Sequence, residues 1–127
     1  MNNDLGNLRI VIVDDDPAIR EMLRRAIDRQ PGHEVVTEAG TAEEAMQVPK
    51  EEGYVFLVDV NMQGDGLALA KRIKRSFPRC GVVSISGLDH TLIGEALRHP
   101  AIDGFYAKSS PLTVLFNEID RVAHRVS

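Results

Sequence analysis

The sequence is poor in the residues that several function classes require. It has one cysteine, no tryptophan, two tyrosines and four phenylalanines. Cys80 has no partner in the chain, so no internal disulfide forms, and zinc sites built on several thiolates are excluded. An aromatic share of 5% is too low for a base-stacking nucleic-acid platform. Positive charge is not in excess. The formal net charge of −4 speaks against a broad nucleic-acid surface. No apolar run is long enough for a bilayer-spanning helix, and Met1 to Asn7 lack a signal-peptide pattern. A cytoplasmic protein with no membrane contact is the expectation. What remains is ordinary globular material: 127 residues, 43% apolar and 27% charged, the size of one domain. Residues 1–127 read as that domain, with its core over about 8–126.

Strand and helix patterns alternate five times. Leu8 to Val13 is nearly all β-branched or leucine, the composition of a strand buried on both faces. Asp16 and Pro17 then read as an N-cap and first-turn proline. Ile19, Met22, Leu23, Ala26 and Ile27 follow as one apolar stripe, and Pro31-Gly32 stops the helix. His33 to Ala39 reads as a less apolar strand near a sheet edge. Thr41 to Glu44 is a capping box opening a short helix to about Val48. Tyr54–Asp59, Gly81–Ser86 and a stretch within Ile102–Ala107 supply three more strands. Gly66 to Phe77 is a helix with Leu67, Ala70, Ile73 and Phe77 inward. His90 to Arg98 is a weaker helix, and Pro111 to Val126 a final one with Leu112, Leu115, Phe116, Ile119, Val122, Ala123 and Val126 on one stripe. This order predicts an α/β fold: a flavodoxin-like, doubly wound (βα)5 unit with a five-stranded parallel sheet and helices on both faces.

In such sheets ligands sit beyond the carboxyl ends of the strands, where strand order reverses. Asp14, Asp15 and Asp16 follow the first strand, Asp59 ends the third, Ser86 the fourth, and Lys108 follows the fifth. Carboxylates gathered on one rim repel unless a cation joins them. An all-oxygen set with few ligands favours Mg²⁺. A hard cation and a lysine around one carboxylate suit phosphoryl oxygens, and that carboxylate can act as nucleophile to form an aspartyl-phosphate. Ser86 can then donate a hydrogen bond to the phosphoryl group. Asp16 reads as the helix cap. Cys80 lies in an ordinary turn, and His33, His90, His99 and His124 lack metal-ligand spacing.

The stretches VIVDDDPAIR, LVDVNMQGDG, VVSISG and GFYAKSSP, in this order, resemble the receiver domain of two-component response regulators over about Leu8 to Val126. The resemblance implies that Asp59 is the phosphoacceptor. It implies that Asp14 and Asp15 position Mg²⁺, with Asp15 the more direct ligand, and that Asn61 offers the metal its backbone carbonyl. Ser86 matches the switch hydroxyl, Lys108 the phosphate-binding lysine and Phe105 the switch aromatic. Lacking a hydroxyl, Phe105 is expected to favour its buried rotamer by packing alone. The implied donor is a phosphohistidine on a sensor histidine kinase or phosphotransfer protein, and the domain catalyses its own phosphorylation and dephosphorylation. The face of the fourth helix, fifth strand and fifth helix is the implied surface for a homodimer or an output partner. GFYAKSSP is similar to receivers of the NarL/LuxR type, whose output is a C-terminal DNA-binding helix-turn-helix. No such output domain is expected within these residues. The sequence departs from the family pattern at Gln63, where a proline is usual, in a 60–66 loop one residue short, at Gly87 in place of alanine, and at Ser109 in place of proline. Gly87 should leave room for water beside the phosphoryl group.

Two other readings use the same residues. A pseudo-receiver keeps the fold and acts by protein contacts alone. A phosphatase of the haloacid dehalogenase type reads Asp14 and Asp16 as nucleophile and acid of a DxD motif. A flavin mononucleotide protein fits poorly, because the first loop is acidic where that phosphate needs amides and hydroxyls.

Overall fold

A computed structural model describes residues 7–60, 66–87 and 99–126. Its strands are β1 (Leu8–Val13), β2 (His33–Ala39), β3 (Val55–Asp59), β4 (Gly81–Ser86) and β5 (Gly104–Ala107). Its helices are α1 (Pro17–Asp28), α2 (Ala42–Ala45), α3 (Gly66–Ser76) and α4 (Leu112–Val126). The five strands form one sheet in the order β2-β1-β3-β4-β5. Every neighbouring pair is parallel. The order reverses beside β1, which has β2 on one side and β3 on the other. The crevice at the carboxyl ends of β1 and β3 is therefore the place where this topology leaves room for a ligand.

Alternation along the strands divides the core in two. Val11, Val13, Phe56, Val58 and Val82 face α3, where Leu69, Ala70 and Ile73 are buried with Phe77. Ile10, Ile12, Val55, Leu57, Val83 and Ile85 face α1 and α4, meeting Leu23, Ile27, Leu115, Ile119 and Val122. Both faces of β1, β3 and β4 are thus covered, as the near-continuous apolar composition of these strands requires. Each fully buried side chain of this kind contributes about 1.5–3 kcal/mol. On the first face Tyr54, Phe56 and Phe77 form an aromatic cluster, with Phe56 and Phe77 centroids 4.9 Å apart. The close approach of α4 needs a glycine at 104. A Cβ there would lie 2.7 Å from Val122 Cγ2 and 2.8 Å from Glu118 Oε2.

The helix starts follow local chemistry. Asp16 caps α1 by accepting the Ala18 amide at 2.9 Å, with Pro17 in the first turn. Thr41 caps α2, accepting the Glu44 amide at 3.1 Å, while Glu44 Oε1 takes the Gly40 amide at 2.9 Å.

Several expectations need correction. α2 is one turn long and stops at Ala45, short of Val48. Pro49 disfavours helical geometry in the residue before it, and the Gln47 amide already bonds the Glu44 carbonyl in a tightened turn. Met22 is 42% exposed rather than inward, so only Leu23 and Ile27 of α1 are buried. β1 and β2 lie at one side of the sheet, and α1 overhangs them. Met22 lines an open groove of about 430 Å³ that reaches Leu112 at the start of α4. In α3 it is Leu69, not Leu67, that is buried. β3 begins at Val55, one residue later than its apolar pattern starts. The helix expected over 90–98 lies outside the described residues. β2 does form a sheet edge, and the register slips between Ile10 and Val11, which pair with Val35 and Thr37. The slip leaves Val36 without a partner in the ladder, and it is 36% exposed.

Candidate functional site

The parallel sheet delivers Asp14, Asp59, Ser86 and Lys108 to one rim, because each ends or follows a strand running in the same direction. Asp14 lies one residue past β1 and is fully buried. Its amide continues the ladder to the Ala39 carbonyl at 3.0 Å. Its Oδ1 accepts the Asp16 amide at 2.9 Å, an Asx turn that bends the chain into α1. Asp59 ends β3 opposite Ile85 and is 3% exposed. Lys108, just past β5, is tethered by its amide to the Ser86 carbonyl at 2.7 Å. Its Nζ reaches across β4 to stand 3.1 Å from Asp14 Oδ2 and 3.3 Å from Asp59 Oδ2. One ammonium therefore serves two buried carboxylates from different strands.

Asp15 is exposed beside them. One carboxylate oxygen from each of Asp14, Asp15 and Asp59 lies within 4.8 Å of the others. Hard oxygen donors at this separation fit a small dication that keeps several waters. A second observation points the same way. Asp14 Oδ2 is buried and receives no hydrogen bond, only the ionic contact with Lys108. Burial pushes the Asp14 carboxyl above its ordinary value, the Asp16 amide and Lys108 oppose this, and the Asp59 charge adds to it. A dication would satisfy that oxygen and favour the ionised form. Burial disfavours the Lys108 ammonium, but the contact with Asp14 and the charges of Asp14 and Asp59 outweigh it and raise its pKa.

The close fit extends to the backbone. α3 begins against Asp59: a Cβ on Gly66 would lie 2.4 Å from the Asp59 carbonyl oxygen and 2.7 Å from Val60 Cα. Only glycine permits that start. Ser86 is fully buried, and its hydroxyl donates to the Gly87 carbonyl at 3.3 Å. Among the described residues, a Cβ on Gly87, next to Ser86, would meet nothing within 4 Å.

This geometry agrees with a comparison of the whole chain. Residues 10–120 match the model of the response regulator receiver domain. The chain belongs to that family. The receiver is 31% identical over 113 residues to the nitrate/nitrite response regulator protein NarP of Escherichia coli K12, covering 87% of this chain and 53% of the relative. It thus spans about half the length of the curated relatives it matches. Among solved structures, the receiver domain of AraT, a response regulator from Geobacillus stearothermophilus, superposes with a TM-score of 0.76 at 30% identity, covering 94% of this chain and 95% of that one. RcsB from Salmonella enterica serovar Typhimurium, bound to the rprA promoter in the presence of the phosphomimetic BeF3⁻, gives 0.79 at 25% identity, covering 93% and 99%.

The structure brings Asp14, Asp15, Asp59 and Lys108 together by measured distance and sets Ser86 on the same rim. Asn61, with Gln63 and most of the shortened loop, lies outside the described residues. Phe105 sits in β5 opposite Ser84 and is half-buried. Its neighbour Tyr106 turns to the other face, where it is buried and donates its hydroxyl proton to the Ser110 carbonyl at 2.6 Å. Asp16 uses its carboxylate as the α1 cap, which leaves a DxD phosphatase reading without its acid. The sequence reasoning passed over Arg20 and Glu118. Each bonds to main chain outside its own helix, Arg20 to the Asp14 carbonyl six residues back and Glu118 to the Phe105 amide. No periodicity announces such contacts. Among the described residues no helix is long and apolar enough to cross a membrane.

Proposed function

We propose that Asp59 of this receiver accepts a phosphoryl group from the phosphohistidine of a sensor histidine kinase or phosphotransfer protein. The observation that carries the reading is the position of Lys108 Nζ, 3.1 Å from Asp14 and 3.3 Å from Asp59. A carboxylate oxygen of Asp59 attacks phosphorus in line, the P–N bond breaks, and histidine leaves with the electron pair. Lys108 transfers its contact from the carboxylates to a phosphoryl oxygen. Ser86 exchanges its weak bond to Gly87 for another. Asp14, Asp15 and Asp59 would hold Mg²⁺, joined by the Asn61 carbonyl. That ion supplies charge neutralisation at the phosphoryl oxygens. Hydrolysis needs water in line with the acyl-phosphate, and the space at Gly87 admits it.

The added charge of about −1.5 to −2 draws Lys108 and Ser86 toward Asp59. Phe105 is then free to move inward, and the face carrying β5 and α4 becomes the surface for a second copy or an output partner. NarP and RcsB are named as regulators, and RcsB is described on a promoter. By analogy this receiver controls a DNA-binding output domain, and it acts in the cytoplasm. Intact mass after treatment with acetyl phosphate and Mg²⁺ tests the reading. The expected result is one added phosphoryl group in the wild type and none in Asp59→Asn. An unmodified wild type would leave a pseudo-receiver acting by contacts alone.

A further inference from the structure

We propose that Arg20 is a positioning residue for the acidic turn: its guanidinium holds the carbonyl of the peptide joining Asp14 to Asp15 and so aims the Asp15 carboxylate. This rests on the reading of Asp14, Asp15 and Asp59 as a magnesium site.

The two acidic neighbours are held very differently. The Asp14 side chain is fixed by the Asp16 amide and Lys108. Asp15 is exposed, and its side chain enters no hydrogen bond or ion pair among the described residues. The main chain therefore sets the direction of its Cα–Cβ bond, and among the described residues no other side chain holds it. Arg20 Nη1 donates to the Asp14 carbonyl at 2.6 Å. Turning that peptide plane turns the Asp15 Cα–Cβ bond with it, so the guanidinium is the side chain that governs where Asp15 points.

Arg20 is itself held in place. It lies in the first turn of α1, where side chains lean back toward the helix start and hence toward Asp14. Glu38 on β2 places Oε1 3.7 Å from Arg20 Nε and Oε2 2.8 Å from Arg24 Nε, so one carboxylate steadies two arginines one turn apart. Gly40 makes the room. A Cβ there would come within 3.1 Å of Arg20 Nη1 and 3.5 Å of Glu44 Oε1. An arginine beside a proposed dication site carries a cost, because its charge repels the ion even with Glu38 offsetting part of it. Outer-shell groups that orient a ligand justify such a cost.

The two roles predict opposite signs. If Arg20 were only a nearby charge, removing it would tighten Mg²⁺ binding. If it positions Asp15, removing it weakens binding by about tenfold. Mg²⁺ titration followed by amide chemical shifts around Asp59, on the full chain, separates them. Arg20→Met should weaken binding about tenfold, and Arg20→Lys, whose ammonium can still donate to the carbonyl, should recover most of it. Gly40→Ala keeps the guanidinium but displaces it, and should weaken binding in the same direction. It also serves if Arg20→Met fails to fold. Without metal, hydrogen exchange at the Asp16 amide, which is bonded to Asp14 Oδ1, should quicken in Arg20→Met and Gly40→Ala. Unchanged or tighter Mg²⁺ binding in these variants, or unchanged exchange, would overturn the proposal. A wild type showing no saturable Mg²⁺ response sinks the magnesium reading instead, and the exchange comparison still decides whether Arg20 orders the turn.

Discussion

The amide of Phe105 donates to Glu118 Oε2 at 2.7 Å, so the outermost strand is held along its free edge by a side chain of the last helix. Arg121 completes the clamp, gripping Glu118 through two 2.9 Å contacts and donating to the Asp103 carbonyl at 2.9 Å. An edge strand normally exposes such donors to any passing strand. Here the edge is satisfied from within. The same contact links the proposed switch aromatic to α4.

This clamp sets an acid limit on stability. The Arg121 hydrogen bond, with help from the Phe105 amide and against the effect of burial, holds the Glu118 carboxyl below its ordinary value of 4.5. The folded state thus keeps Glu118 ionised at a pH where the unfolded chain protonates it. The stabilisation is complete above the unfolded value and is lost as pH falls through the lower, folded one. Urea midpoints at neutral pH and below pH 4 should show a steeper acid loss for the wild type than for Glu118→Gln. Glu118→Ala, which leaves the Phe105 amide without its acceptor, should cost about 1–3 kcal/mol at neutral pH. Equal acid sensitivity in wild type and Glu118→Gln would remove the clamp from the ledger of stabilising contacts.

Asp14 and Lys108 should respond to substitution with opposite signs. Burial raises the Asp14 carboxyl, so the folded state binds a proton that the unfolded state has lost, and stability falls as pH rises through that window. Asp14→Asn should therefore raise Tm in metal-free buffer by on the order of 1 kcal/mol, a few degrees, and abolish stabilisation by Mg²⁺. Lys108→Met strands two buried carboxylates and should cost about 3 kcal/mol. Added Mg²⁺ should restore part of that loss by supplying the missing charge. Calorimetry with and without Mg²⁺ reads all four values.

The two glycines beside the rim make a matched pair. Gly66→Ala forces a Cβ into the backbone of Asp59 and Val60, and none of the three atoms it meets is a flexible chain end. It should destabilise by about 1–3 kcal/mol and slow phosphorylation by displacing Asp59. Among the described residues a Cβ at Gly87 meets nothing within 4 Å, so the stability of Gly87→Ala should stay within about 0.5 kcal/mol of wild type. On the proposed water route past Gly87, the added methyl group should lengthen the life of the phosphorylated form, measured by the decay of the added mass.

Most of the architecture is legible in the sequence because its signals are local. The apolar runs at Leu8–Val13 and Gly81–Ser86, the Asp16-Pro17 cap and the Thr41 cap each decide their own element. The rim is legible for a topological reason: in a parallel sheet every strand end shares one side, so Asp14, Asp59, Ser86 and Lys108 need no further information to converge. What stays hidden depends on neighbours. Met22 fits the helical stripe, yet α1 overhangs the sheet and leaves it 42% exposed along an open groove. Leu67 and Leu69 lie about 200° apart on α3, on opposite flanks of the Ala70–Ile73 stripe, and the stripe alone does not say which flank the sheet covers. Arg20 and Glu118 read as ordinary surface charges until the fold carries a carbonyl or an amide to them.

Locating the phosphoryl group on the chain is the most direct test. Borohydride reduces an acyl-phosphate to the alcohol and so marks the acceptor as homoserine. After treatment with acetyl phosphate and Mg²⁺, peptide sequencing should find homoserine at position 59 and at no other aspartate. Homoserine at position 14 or 15, or none anywhere, would contradict a rim built to esterify Asp59.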